Sequence, residues 1–479
     1  MSTNPDYSEL QNLQREYFQI LDETFNKATS CNYGKFCRIN DFSSVIKKYR
    51  SHNKVNQLKE GLEWGYKKLH EFCSKDMVKP FNLPKKIGGM KLLLGGSSRF
   101  NIAHFNSVRK MLLYADTILI PDPILPWIEI DRKEERFKDV LFLETIFTML
   151  HLKPLADADL ACPAIVVFPS WEKLLEQNDS YTQSGIEILT TNFLAHFMGM
   201  HFKSSEDLIK YVKVQETDFL NKVEVNNLFF APGQKQPGKI GEALSNYRNF
   251  LRQWRSPEFV KKTDEMSNGE MVLLGIKERL APQFHLFENA EELQCQPMLC
   301  MDVHWHYYSL CSRIYEEKLQ NMNFLKPETV MAIRSLNENR FQWLGNIPIP
   351  ELVELRINNE NANFRKIITE YTNQLHAASL DHLDKVANEV TRAISSLLAD
   401  HQIEIQKIQN EYKKKHLQTL ALAVLTAPAI FLPVLAPFTG IAAPLAIANK
   451  YFWNKIDERD RKRTAAKSLT GILAKAAKQ

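Results

Sequence analysis

The stretch CQPMLCMDVHWHYYSLC sets Cys295, Cys300, His304, His306 and Cys311 within 17 residues. Thiolates and imidazoles are good zinc ligands, and on a strand His304 and His306 would project to one face. The spacings fit none of the familiar closed zinc patterns, and the residues between them are apolar and aromatic. Buried core cysteines with a hydrogen-bonded histidine pair are therefore the competing expectation.

A second group of candidates is GGSSRFN, where Gly95, Gly96, Ser97, Ser98 and Arg99 follow a short apolar run and open a helical pattern. Backbone amides in such a turn can cradle a phosphate, as helix N-termini do. Arg99 and His104 would then be the side chains nearest a ligand. Neither the P-loop nor the dinucleotide glycine pattern is present, and a plain turn with Ser97 or Ser98 as helix cap accounts for the same residues. Asp116 and Asp122 bracket the next apolar run. Carboxylates at the ends of parallel strands can hold Mg²⁺ for phosphoryl chemistry, and the simpler assignment makes both of them turn or loop residues. Ser170 and Lys173 share an S-x-x-K spacing without its companion motifs, which leaves Ser170 as a helix cap. These motifs specify no cofactor.

The elements that must position these residues follow from periodicity. Leu10, Leu13, Tyr17, Leu21 and Phe25, then Leu58, Leu62, Tyr66 and Leu69, recur at helical spacing, so residues 1–80 form an N-terminal helical region. Three short apolar runs, at 91–94, 117–120 and 164–168, alternate with helical patterns. Strand, helix, strand, helix, strand predicts a small parallel α/β core near residues 85–170, within a region 81–175. Residues 176–345 read as mixed and mainly helical, broken by the loop APGQKQPGKIG at 231–241. From 346 to 416 long amphipathic helices are expected, with Val386, Val390, Ile394, Leu397, Ile405, Ile408 and Tyr412 as a stripe of period near 3.6. The fold class is thus mixed and predominantly α-helical, ending in an apolar helical hairpin at 417–449 and a basic tail at 450–479.

That hairpin is the most unusual feature of the chain. Leu417 to Asn449 is 33 residues without a charge, against roughly 20 for one membrane-spanning helix and about 40 for two. Pro428, Pro433, Pro437 and Pro444 break any continuous helix. Basic residues flank both ends, so if such flanks stay on one side of a bilayer, the run enters and returns without crossing. In that case the membrane-facing residues are Leu417, Leu422, Leu425, Ile430, Phe431, Leu435, Phe438, Ile441, Leu445 and Trp453. The headgroup-facing cations are Lys413, Lys414, Lys415, Lys450, Arg461, Lys462 and Arg463. Non-helical backbone at membrane depth needs partners, which a homo-oligomer or a shallow position would supply. In the alternative, the same hairpin packs inside a soluble core or an oligomer interface. The tail TAAKSLTGILAKAAK, with Ala465, Leu469, Ile472, Leu473 and Ala476 on one face, is expected as an interfacial helix.

The net charge of +5 is concentrated locally: residues 450–479 hold nine Lys and Arg against three acids. A basic tail beside an apolar run suits an anionic membrane surface, and nucleic acid is not an expected partner. Seven cysteines fit a reducing compartment, and the start lacks the pattern of a secretory signal. The expected location is cytoplasmic, at the inner face of the cell membrane. The expected function is a cytosolic sensor or binding protein with a membrane-interacting C-terminal hairpin. By architecture only, the layout resembles bacterial toxin-like or phage-defence effectors, in which a soluble sensor controls a membrane-active segment. The alternative is a soluble enzyme acting on a nucleotide or other phosphate-containing substrate. The small-molecule or protein trigger is not specified.

Overall fold

Three strands lie where the apolar runs predict them: β1 (Lys91–Gly95), β2 (Thr117–Pro121) and β3 (Ile165–Phe168). The structure is a computed structural model that describes residues 7–35, 42, 52–75, 79–95, 100–124, 136–169, 180–232, 234, 237–314, 333–336, 339–372, 388–399, 403–404, 406–411, 414, 461–462 and 467–477. A fourth strand, β4 (Gln296–Leu299), lies inside the segment that reads as a metal motif. All four are parallel, in the order β3-β2-β1-β4. Leu92 pairs with Ile118 on one side and with Gln296 on the other. Protein covers both faces of the sheet, so the strands are apolar throughout rather than alternating. Pro297 is accommodated because β4 is an edge strand, where a missing amide donor costs no ladder bond.

Helices α1 (Ser8–Thr29) and α2 (His52–Lys75) form the expected N-terminal pair. They cross with very little clearance: a Cβ added to Gly61 would lie 2.3 Å from the Ala28 amide nitrogen, and one on Gly65 2.3 Å from Thr24 Cγ2. Gln14 of α1 reaches the sheet, accepting from Val167 N–H at 2.7 Å and donating to Val167 O at 2.9 Å. Helix α3 (Ile102–Met111) links β1 to β2, and α4 (Arg136–Leu150) precedes β3.

Between β3 and β4 the chain is helical: α5 (Ser180–Met198), α6 (Ser205–Val214), α7 (Glu216–Val225), α8 (Ile240–Trp254) and α9 (Asn268–Glu292). These helices enclose a separate apolar cluster around Phe193, Phe219, Tyr247 and Tyr307. The 25-residue α9, started by a Ser267–Glu270 capping box, packs against both this cluster and the sheet. Helix α10 (Asp302–Ile314) follows β4 directly.

The C-terminal helices α11 (Ile349–Ile357) and α12 (Glu360–Thr372) are pinned to the N-terminal edge of the sheet. Arg356 donates to the carbonyls of Ala115 and Asp116, and Arg365 donates to Tyr114 O at 2.7 Å. Val390, Ile394, Leu397 and Ile408 of the amphipathic stripe are buried, as a core-facing helix requires. Val386, Ile405 and Tyr412 lie outside the described residues.

The tail helix α13 (Leu469–Ala476) departs from expectation. Leu469, Ile472, Leu473 and Ala476 are buried in the same apolar cluster as the sheet, not turned outward for a bilayer. Lys467 and Lys475 pair with Glu354 and Glu351 of α11. The face was correctly identified, but another part of the chain covers it.

Candidate functional site

The sheet order creates a crevice. From β1 the chain proceeds to β2 on one side, while β4 occupies the other, so a topological switch point lies between β1 and β4. In open parallel sheets the crevice beyond the carboxyl ends of such a strand pair is the usual ligand position. Gly95 and Leu299 stand opposite each other at that end. Helix α3 starts just after β1 and α10 just after β4, and each carries a histidine at its third residue, His104 and His304.

Both imidazoles are buried, His104 at 1% exposure and His304 at 8%. Asn101 caps α3 through a capping box: its side chain accepts from the amides of Ala103 and His104, and its own N–H donates to His104 Nδ1 at 3.4 Å. His104 Nδ1 also lies 2.9 Å from Asn101 Oδ1, and Nε2 has no partner among the described residues. His304 Nδ1 is likewise buried and without a partner among them, as is Gln283 Oε1 of α9, whose Nε2 donates to His304 O at 3.3 Å. Burial pushes His104 down to about 4. Burial, aided by the nearby charges of His104 and Arg279, pushes His304 down to about 3. Both rings are therefore neutral at pH 7.

Two cationic groups, Arg334 and Lys110, lie close to one another beside Cys300. Arg334 donates through Nη2 to Asp302 Oδ1 at 2.6 Å and lies over the Trp305 ring, 5.6 Å from its centroid. Its Nε is buried with no partner among the described residues. Lys110 of α3 is 5% exposed, and burial brings its ammonium down to about 8, with Cys300 opposing and Arg334 reinforcing the shift. The Cys300 thiol is pushed up to about 11 by burial, against a hydrogen bond with Ser107. Asp302 pairs with Arg334 at 2.6 Å.

The sequence-derived candidates are only partly brought together. Gly95 ends β1 in the crevice, with Leu286 and Leu299 filling the space where a Cβ would project; Gly96, Ser97, Ser98 and Arg99 lie outside the described residues. The cap of α3 is Asn101, not Ser97 or Ser98. Asp116 and Asp122 sit at opposite ends of β2, on the order of 20 Å apart at the rise of a strand, and do not share a site. Asp122 accepts from Tyr17 O–H and from Ile124 N–H, both at 2.7 Å, and fixes the turn after β2. Asp116 accepts from Met90 N–H at 2.7 Å and Asn361 at 2.8 Å and pairs with Arg365 at 2.9 Å.

The metal motif is dispersed by its secondary structure. Cys295 precedes β4 and Cys300 follows it, and the remaining three residues lie on a helix, not the strand on which adjacent histidine projection depends. At about 100° per residue His304 and His306 point in nearly opposite directions, and His306 Nε2 is 2.8 Å from Asn227 O. No group of three or more His, Cys, Asp or Glu residues among the described residues is placed to hold a metal ion. Burial raises Cys295 and Cys311 to about 12, so both are neutral thiols.

Of the membrane-facing set, Leu417, Leu422, Leu425, Ile430, Phe431, Leu435, Phe438, Ile441, Leu445 and Trp453 lie outside the described residues, as do Lys413, Lys415, Lys450 and Arg463. Among the described residues no helix is long and apolar enough to cross a membrane. Arg461 pairs with Glu411 at 2.7 Å, across 50 positions of sequence. Lys110, Gln283 and Arg334 carry no distinguishing sequence pattern; Asn101-x-x-His104 has the spacing of a helix cap. No family model matches the chain, and neither a curated protein nor a solved structure is significantly similar to it.

Proposed function

We propose that the chain is a cytosolic binding protein whose body presents the apolar segment 417–449 as a hairpin to an anionic membrane surface. The observation that carries this reading is the Glu411–Arg461 pair. It brings together residues 411 and 461, which bracket the apolar segment in sequence, and a segment that starts and ends at neighbouring points suits a hairpin. A run tethered in that way enters a bilayer from one side only, as its basic flanks require. With α13 buried in the core, 417–449 is the long uncharged run left to meet a bilayer. A ligand in the β1–β4 crevice would be the trigger, and the layout then matches that of toxin-like or defence effectors in outline.

The alternative of a soluble enzyme or binding protein keeps the crevice and packs the hairpin into protein. The protein-covered face of α13, in a tail that looked interfacial, is the observation in its favour.

Cosedimentation with vesicles separates the two. Truncating at Lys415 is a poor test, because it also removes α13, whose buried leucines and isoleucine are worth roughly 1.5–3 kcal/mol each. Replacing residues 417–449 by a short Gly-Ser linker spares the body. The proposal expects the full chain to sediment with phosphatidylserine-containing vesicles and the linker variant to stay in solution. Equal, negligible binding by both favours the soluble alternative.

A further inference from the structure

We propose that His304 and His104 make the joint between α3, α9 and α10 an acid-sensitive device: protonation of their rings opens the joint, and the helical cluster then parts from the sheet. The inference stands apart from the membrane reading, so either can fail without the other.

Helix α9 packs against both the sheet and the helical cluster, and α10 continues directly from β4. Gln283 of α9 donates from Nε2 to His304 O at 3.3 Å. One turn further along α10, Tyr307 O–H donates to Leu228 O at 2.8 Å and its oxygen accepts from Phe230 N–H at 3.2 Å. The start of α10 is thus tied to the strand, and its middle to the helical cluster. His304 stands between the two attachments.

A charge on either ring is poorly accommodated. Both rings are buried, and each belongs to the third residue of its helix, where the positive end of the helix dipole opposes an imidazolium. An imidazolium carries two N–H donors, and His304 Nδ1 has no partner among the described residues, so one donor would be left buried and unmet. His104 is less isolated. Its Nδ1 lies 2.9 Å from Asn101 Oδ1, an acceptor that the amides of Ala103 and His104 already use.

The surrounding charges have the wrong sign to compensate. Arg279 of α9 and His104 of α3 both oppose protonation of His304, and α3 adds only the cations Arg109 and Lys110. Acids on the neighbouring helices are paired elsewhere: Glu278 of α9 with Arg255 at 2.7 Å, and Glu187 of α5 with Lys277 at 3.5 Å. Asp302, on the first turn of α10 itself, pairs with Arg334 at 2.6 Å.

The sign of the pH dependence follows. In the closed joint burial holds His304 down to about 3 and His104 to about 4, whereas a hydrated imidazole titrates near 6.5. Above pH 6.5 the open and closed forms are both neutral, and the joint is indifferent to pH. Between about 6.5 and 4 only the opened form takes up protons, so acid favours opening by about tenfold per pH unit for each ring that becomes hydrated. At pH 5 that amounts to roughly thirtyfold for one ring.

Hydrogen exchange of the full chain at pH 7 and pH 5, corrected for the intrinsic pH dependence of amide exchange, tests the device. Peptides covering the starts of α3 and α10 should lose protection at pH 5 while those of α1 and α2 stay protected. In His304→Gln, whose side chain does not titrate, the acid-induced acceleration at α10 should shrink by roughly the thirtyfold due to one ring. If that variant fails to fold, the wild-type comparison between α10 and the α1–α2 pair decides alone. Protection at α3 and α10 equal to that of α1 and α2 at pH 5, or an undiminished acceleration in a folded His304→Gln protein, would overturn the proposal.

Discussion

Glu411 and Arg461 form an ion pair at 2.7 Å although 50 residues of sequence separate them. Both side chains are more than 40% exposed, so the pair contributes at most about 1 kcal/mol. Its importance is geometric. It holds together two positions that bracket the apolar segment in sequence.

Helix α1 depends on small residues of α2. Gly61→Ala would bring a methyl group within 2.3 Å of backbone at Ala28, which cannot move aside as a flexible side chain would. Overpacking of this kind costs about 1–3 kcal/mol. Urea denaturation should show a lower midpoint with an unchanged slope; a midpoint equal to that of the wild type would mean that the helices do not cross there.

Asp116→Ala should destabilise the fold by about 2–4 kcal/mol, since it strips acceptors from Arg365, Asn361 and the Met90 amide in a largely buried cluster. A lower urea midpoint checks this, and a midpoint equal to that of the wild type would mean that the cluster is solvated.

Acid should weaken the protein before its carboxylates titrate. His104 and His285 are held down to about 4 and His304 to about 3, all by burial. Unfolded histidine protonates near 6.5, so below that pH the unfolded state binds more protons and stability falls; above it the contribution is constant. Each buried histidine adds on the order of 1 kcal/mol per pH unit between about 6.5 and 5. Urea midpoints over this interval should drop, and His285→Gln should reduce the slope. A flat profile would show that these rings are solvated.

The helices and three strands were legible because their apolar spacing is local. β4 was not: QPML is four residues long, contains a proline and sits among cysteines and histidines that invite a metal assignment. Its strand character comes from pairing with β1, just over 200 residues earlier. The crevice was half legible. Gly95 and His104 stand out in sequence, but His304 gains its place only through β4, and Arg334 and Gln283 only through tertiary packing. For the tail, periodicity identified the buried face of α13 and had no means of telling lipid from protein as its cover.

The central claim is that 417–449 enters a bilayer from one side and returns to it. A fluorescent amino acid incorporated at position 418, 438 or 449 of the full chain, with anionic vesicles and a water-soluble quencher added outside, tests this directly. The account predicts that the probes at 418 and 449 stay accessible while the probe at 438 is shielded and shifts to the blue only when vesicles are present. Shielding at just one of the two ends would mean a crossing segment, and three probes unaffected by vesicles would mean a hairpin packed in protein; either result contradicts the account.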